Sequence, residues 1–147
     1  MNKKDALIVR VLERSAKLSS RAIAGEVGLP ISTVHRRIRR LEKEGVITGY
    51  KAMINYEKTD RPIGSYIFIN LEETSPGKSR TPKGNVVDRL KKFVDVQELA
   101  DVQGYNFDLV VKARFKCLKE LSLFMEALRS LEGIEELSSA IITEEIR

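Results

Sequence analysis

Apolar positions along the chain change their period several times, and each change marks an element. Between Asp5 and Arg14, Leu7, Ile8, Val11 and Leu12 recur at the spacing of one helical face, with Asp5 where a helix N-terminus favours negative charge. A second helix is predicted over Ser20–Val27, with Ser19 as its N-cap and Ile23 and Val27 one turn apart. Gly28 stops it, because glycine takes the positive φ that ends a helix. Pro30 opens a third helix that continues to Gly45. On a helical wheel, Val34, Ile38 and Leu41 form a narrow apolar stripe, and Ser32, Arg36, Arg39 and Lys43 fall opposite it. Thr33 and Arg40 lie beside that outer group, and His35 and Arg37 stand at the flanks.

After Gly45 the rhythm becomes extended. VITGYKAMINY (46–56) reads as a short strand leading into the polar connector EKTDRP, whose Pro62 argues against a continuing helix. SYIFINL (65–71) is a strand apolar on both sides, and EETSPGKSRTPKG (72–84) is a loop. Val86, Val87, Leu90 and Phe93 predict a helix over 85–93, and DVQELADVQ (95–103) a second strand. In FDLVVKARF (107–115), Phe107, Leu109, Val111, Ala113 and Phe115 alternate with Asp108, Val110, Lys112 and Arg114, a third strand. Leu121, Phe124, Met125, Leu128 and Leu131 line one side of a helix over 118–131, which Gly133 ends before a fourth strand, LSSAIIT (137–143).

These elements predict an α+β chain. Residues 1–50 form a helix-turn-helix, winged-helix-like domain, residues 51–62 a strand and linker with a boundary near Asp60, and residues 63–147 a ferredoxin-like βαββαβ unit. Because the first strand of that unit is apolar on both sides, its helix-free face is expected to be covered by a second copy, giving a homodimer.

Composition narrows the chemistry. With 147 residues and 42% hydrophobic content, the chain has enough apolar side chains for one ordinary domain or two small ones. No apolar run approaches the roughly 18 to 20 residues that span a bilayer, and the N-terminus lacks a signal-peptide pattern, so a cytoplasmic protein with no membrane partner is expected. A single cysteine, Cys117, can form no internal disulfide and suggests a reducing compartment. His35 is the only histidine, which leaves a histidine-based metal cluster or catalytic triad without a second member. Neither a P-loop nor GxGxxG occurs, and no metal, cofactor or catalytic set is expected.

Net charge is +5, and it is unevenly placed. Residues 1–60 carry 13 Lys and Arg against 7 Asp and Glu, whereas residues 61–147 carry 13 against 14. A basic N-terminal half with a Gly turn between its second and third helices points to double-stranded DNA, the third helix entering the major groove. Ser32, Thr33, His35, Arg36 and Arg37 stand at the base-reading end. Arg39, Arg40 and Lys43 are placed for phosphate or for the neighbouring Glu42 and Glu44. A solvated basic face, or an architectural DNA-compacting protein, would use the same residues. An enzyme with a catalytic C-terminal half would need more than Asp108, Glu135 and Glu136, and no enzymatic activity is expected.

DALIVRVL at Asp5–Leu12, VGLPISTVHRRIRRLEKEGVITGY at 27–50 and the βαββαβ half that follows resemble the Lrp/AsnC family, the leucine-responsive or feast/famine transcriptional regulators. RRIRRLEKEGVITGY at Arg36–Tyr50 is the most specific stretch, and the resemblance covers nearly the whole chain. It implies an N-terminal DNA-reading domain and a C-terminal RAM-type domain for ligand sensing and oligomerisation. It also implies dimers that assemble into octamers, with an amino acid or similar effector between dimers. By the same resemblance, VQGYNFDLVVK at Val102–Lys112 brings Gly104, Tyr105, Asn106 and Asp108 to the effector, and Ser139 keeps one of two hydroxyls that the family carries on the last strand. Two departures stand out. Tyr105 is an extra residue, and Asn106 stands where an acid is common, although an amide cannot pair with an ammonium as a carboxylate does.

Overall fold

The computed structural model describes residues 1–72, 81–104 and 106–146. Most of the loop expected over 72–84 lies outside the described residues, as does Tyr105. The chain divides into two compact units, Met1–Ile54 and Asn55–Arg147.

The first unit holds three helices, α1 (Lys3–Arg14), α2 (Ser20–Val27) and α3 (Ile31–Lys43). α1 begins two residues earlier than its apolar spacing suggests, because the Asn2 side chain caps it, accepting the Asp5 N–H at 3.0 Å. Ser19 caps α2 by accepting the Ala22 N–H at 3.2 Å, and Gly28 ends it at φ 64°. Ile8, Val11, Ile23, Ala24, Val34 and Leu41 are buried together, and Ile38 packs at their edge. The turn between α2 and α3 is short, and the apolar stripe of α3 holds that helix against the other two.

One polar residue joins this core. Asp5 lies beside Ile8 on α1 and is 2% exposed. Its Oδ1 accepts from Arg37 Nη1 at 2.7 Å, and its Oδ2 accepts from Arg40 Nη2 at 2.5 Å. A single carboxylate thus staples α1 to two arginines one turn apart on α3. Burial works to raise the Asp5 pKa, but the Arg37 hydrogen bond and the charges of Arg40 and Arg37 outweigh it and hold the carboxyl below its ordinary value.

The strand expected over 46–56 does not form. An isolated strand leaves its N–H and C=O groups without a ladder, and among the described residues no other strand pairs with this one. Its last residue instead opens a single 3-10 turn, Tyr56–Lys58.

The second unit contains β1 (Ile63–Leu71), α4 (Lys83–Leu90), β2 (Val96–Asp101), β3 (Leu109–Phe115), α5 (Leu118–Arg129) and β4 (Ile134–Ile142). The strands form one antiparallel sheet in the order β2-β3-β1-β4, with Ile67 opposite Val111 on one side and Ser139 on the other. Alternate residues of β1 and β3, among them Ile67, Ile69, Leu109, Val111 and Phe115, are buried with Val86 and Leu90 of α4 and Leu121, Phe124, Met125 and Leu128 of α5. Phe124 sits between Phe93 and Phe115 at ring-centroid distances of 5.1 and 5.2 Å, contacts that each add about 0.5–1.5 kcal/mol beyond area burial. Among the described residues no helix packs on the opposite face, which presents Tyr66, Phe68, Val110 and Ala140.

Phe107 departs from its expected alternation. β3 begins only at Leu109, so Phe107 belongs to the preceding loop and its ring meets Phe68 at 4.9 Å, on the residues of β1 that alternate with the core. The segment before β1 also belongs to the sheet more closely than a boundary at Asp60 implies. The Tyr56 ring lies 4.1 Å from the Arg114 guanidinium, and its hydroxyl accepts from Gln97 Nε2. Arg114 is 2% exposed and donates to Glu145, which also accepts from Lys112 at 3.1 Å. Gly64 makes room for this group: a Cβ there would stand 2.8 Å from Arg114 Nη1 and 3.0 Å from Ile142 Cδ1.

Gly133, between α5 and β4, has φ 96°, and a Cβ there would meet the Thr81 Cβ at 2.8 Å. Gly133→Ala should therefore lower stability by about 1–3 kcal/mol, read as a lower urea midpoint with an unchanged m-value. The Asp5 staple gives a second expectation. Since its folded pKa lies below the unperturbed 3.8, the staple is intact above that pH and is lost as the pH falls through the depressed value. Helix loss of the first unit below pH 3.8, followed by circular dichroism, should be steeper in the wild type than in Asp5→Asn, which has no such carboxyl to protonate.

Candidate nucleic-acid interface

All eight residues expected at DNA lie on α3, and the structure sorts them into two sets. Ser32, Arg36, Arg39 and Lys43 are exposed along one face, spaced so that each lies one turn from the next. His35 is exposed next to Arg36, and Thr33 is half-buried. Arg36, Arg39 and Lys43 carry no ion pair among the described residues. Their guanidinium and ammonium groups stand in water.

Arg37 and Arg40 form the other set. Arg37, expected at the base-reading end, has a side chain that is 20% exposed and turned toward Asp5, with Nη1 also 3.4 Å from the Asn2 Oδ1. A buried carboxylate draws in the nearest cation on the facing helix, and Arg37 on the flank of the wheel was that cation. Arg40 is 47% exposed, yet its Nη2 is given to Asp5 and its Nε lies 3.6 Å from Glu44. Glu42 does not offset the arginines as expected, since it accepts the Tyr50 hydroxyl at 2.7 Å. That contact ties the segment after α3 back to its last turns, and it raises the Tyr50 pKa through the hydrogen bond, burial and the Glu42 charge.

Sequence reasoning missed Asp5 as part of this arrangement. A signal was available: Asp5 lies one turn before Ile8 and two before Leu12, so the helical wheel sets an acid beside the apolar stripe. An acid drawn into a core needs a cation, and the facing helix supplies two.

The residues expected at an effector are not gathered in one place. Gly104 has φ 122° and lies with exposed Asn106 in the β2–β3 loop. Asp108 is occupied internally. Its Oδ2 accepts the Leu71 N–H at 2.8 Å, its own N–H donates to Ile69 O at 2.9 Å, and its carbonyl accepts from Val102 at 3.0 Å. It therefore fastens the end of β1 to the loop. Ser139 sits on β4, level with Ile67 of β1 and Val111 of β3, so a whole strand separates it from β3 and it does not border the loop. Among the described residues no cluster of His, Cys, Asp and Glu could hold a metal ion, and no helix is long and apolar enough to cross a membrane.

Comparison with known proteins agrees with both units. Residues 1–48 match the winged helix-turn-helix DNA-binding family, and residues 66–147 match the Lrp/AsnC ligand binding domain. The HTH-type transcriptional regulator FL11 of Pyrococcus furiosus is 33% identical over 138 residues, covering 94% of this chain and 86% of that protein. Its counterpart in Pyrococcus abyssi is 30% identical over the same shares. Among solved structures, a transcriptional regulator from Neisseria meningitidis, determined as a complex with L-Met, has a TM-score of 0.81 at 22% identity, covering 100% of this chain and 92% of that one. The leucine response regulatory protein of Mycobacterium tuberculosis gives 0.78 at 24%, with 100% and 95% covered. The solved structures share the fold, and the sequence matches extend over both units: this chain belongs to the Lrp/AsnC family of HTH-type transcriptional regulators.

Proposed function

We propose that the protein is a dimeric, sequence-specific regulator that reads DNA with α3 and responds to an amino acid in its C-terminal unit. The observation that carries the DNA reading is the exposed row Ser32, Arg36, Arg39 and Lys43. Three of its members are cations left in water without a partner among the described residues, on a helix whose other two arginines are neutralised internally. Such a row is matched by the phosphates and guanine edges of a major groove. Ser32, Thr33, His35 and Arg36 take the base edges, and Arg39 and Lys43 take phosphate. Two copies would present their recognition helices about 34 Å apart, one helical turn of DNA. The helix-free sheet face, with Tyr66, Phe68 and Ala140, suits the second copy, and octamers follow if dimers assemble further. A protein with this task works in the cytoplasm, with the DNA.

For the effector, the L-Met complex of the Neisseria relative supports an amino acid as the ligand class. Gly104 and Asn106 would offer backbone N–H groups to its carboxylate. Asp108, already bonded to Leu71, would hold the loop in place rather than meet the ligand directly.

Arg36→Ala should weaken binding by about 1–3 kcal/mol and relax preference at one base pair, whereas Arg39→Ala should weaken all sequences alike and reduce the salt slope by about 1. Unchanged affinity in both would remove α3 from the interface, and footprints that protect unrelated DNA uniformly would favour the compacting protein. Isothermal titration with each amino acid should find one that binds saturably. Asp108→Ala should cost about 1–3 kcal/mol of stability through the orphaned Leu71 N–H. The same variant should lose any ligand-induced change in sedimentation; a change that survives would move the site away from this loop.

A further inference from the structure

Asp5 is buried away from the exposed row of α3, yet it pairs with two of the five cations on that segment. We propose that Asp5 is a specificity-setting residue, an internal competitor that withholds Arg37 and Arg40 from DNA phosphate. The inference rests on α3 being the DNA-reading helix.

A carboxylate and a phosphate seek the same guanidinium groups, and both form charge-assisted hydrogen bonds with them. Here the carboxylate is part of the fold. Each of its oxygens takes a different arginine, at 2.7 and 2.5 Å, and the Asn2 and Glu44 oxygens add further acceptors at 3.4 and 3.6 Å. Arg37 Nε is buried without a hydrogen-bond partner among the described residues, so this side chain is positioned by Asp5 at the cost of one of its own donors. Arg40 is the telling member. It is 47% exposed on the same stretch of helix as the free Arg39, where phosphate could reach it if Asp5 were absent.

Non-specific DNA binding depends on how many phosphates a protein neutralises, each contributing about 0.9 to the salt slope. Base reading depends instead on Ser32, His35 and Arg36, none of which touches Asp5. Removing two cations from the phosphate-binding set lowers affinity for every sequence while leaving the base contacts in place. The ratio of specific to non-specific binding rises as a result.

A purely structural staple predicts the opposite sign. Losing a staple weakens binding to all DNA, whereas losing a competitor strengthens binding to DNA of no particular sequence. The test measures the full-length protein by fluorescence anisotropy across a salt series, on a duplex of random sequence and on one selected by the wild type from a random library. Asp5→Asn should bind the random duplex more tightly. The loss of affinity between 50 and 200 mM salt should grow by roughly threefold per arginine released, with the specificity ratio falling. Folded Asp5→Asn with an unchanged or shallower salt slope overturns the proposal. Should Asp5→Asn fail to fold, wild-type single variants decide: Arg40→Gln should reduce the slope clearly less than Arg39→Gln, and equal reductions overturn it. If Arg36→Ala and Arg39→Gln both leave DNA binding untouched, the reading of α3 itself has failed; if they weaken it and Asp5→Asn leaves the slope alone, only the role of Asp5 has.

Discussion

A charge withdrawn from water must find its opposite within hydrogen-bond reach, and both units of this protein are closed by such a pairing. In the first, Asp5 meets Arg37 and Arg40; in the second, Arg114 and Lys112 meet Glu145. Buried pairs of this kind are weak sources of net stability, because desolvation offsets much of the attraction. What they supply is geometry. An apolar contact tolerates sliding by a fraction of a turn, but a carboxylate gripping two guanidinium groups does not. The first pairing therefore fixes the rotation of α3 about its own axis against α1.

That rotation decides which residues face outward. With Val34 and Leu41 buried and Arg37 drawn inward, Ser32, His35, Arg36, Arg39 and Lys43 are left exposed. The helix is thereby divided along its length into an apolar stripe, a clasped flank and a free cationic row. The sheet of the second unit shows a similar economy at Asp108, where one residue joins the end of β1 to the loop that leads into β3 through side-chain and backbone bonds together. The same bonds restrict how freely that loop can answer a ligand.

Local periodicity made most of this legible beforehand. The apolar stripe of α3, the glycine stops at Gly28 and Gly45, the order of strands and helices and the inward faces of β3 and α5 all follow from the spacing of residues near one another in sequence. Contacts between distant residues did not. The inward turn of Arg37 depends on an acid 32 positions away, and the use of Asp108 on a strand end 37 positions away. Phe107 was misplaced because the alternation was extended past the true start of β3. The strand expected after Gly45 failed for a related reason, since extended propensity describes a residue's preference and not the presence of a neighbour to pair with. Of the residues placed at an effector by resemblance, Gly104, Asn106 and Asp108 fall on the loop before β3, and Ser139 on a strand two positions across the sheet.

Gly64 and Arg114 share a space that only one of them can fill. A larger residue at 64 would displace the guanidinium from Tyr56 and Glu145, and a smaller one at 114 would leave a void beneath the glycine. The two positions are therefore coupled: a side chain gained at 64 is accommodated only by moving the Arg114 guanidinium or the end of Ile142, so what an exchange at one position costs depends on the residue at the other.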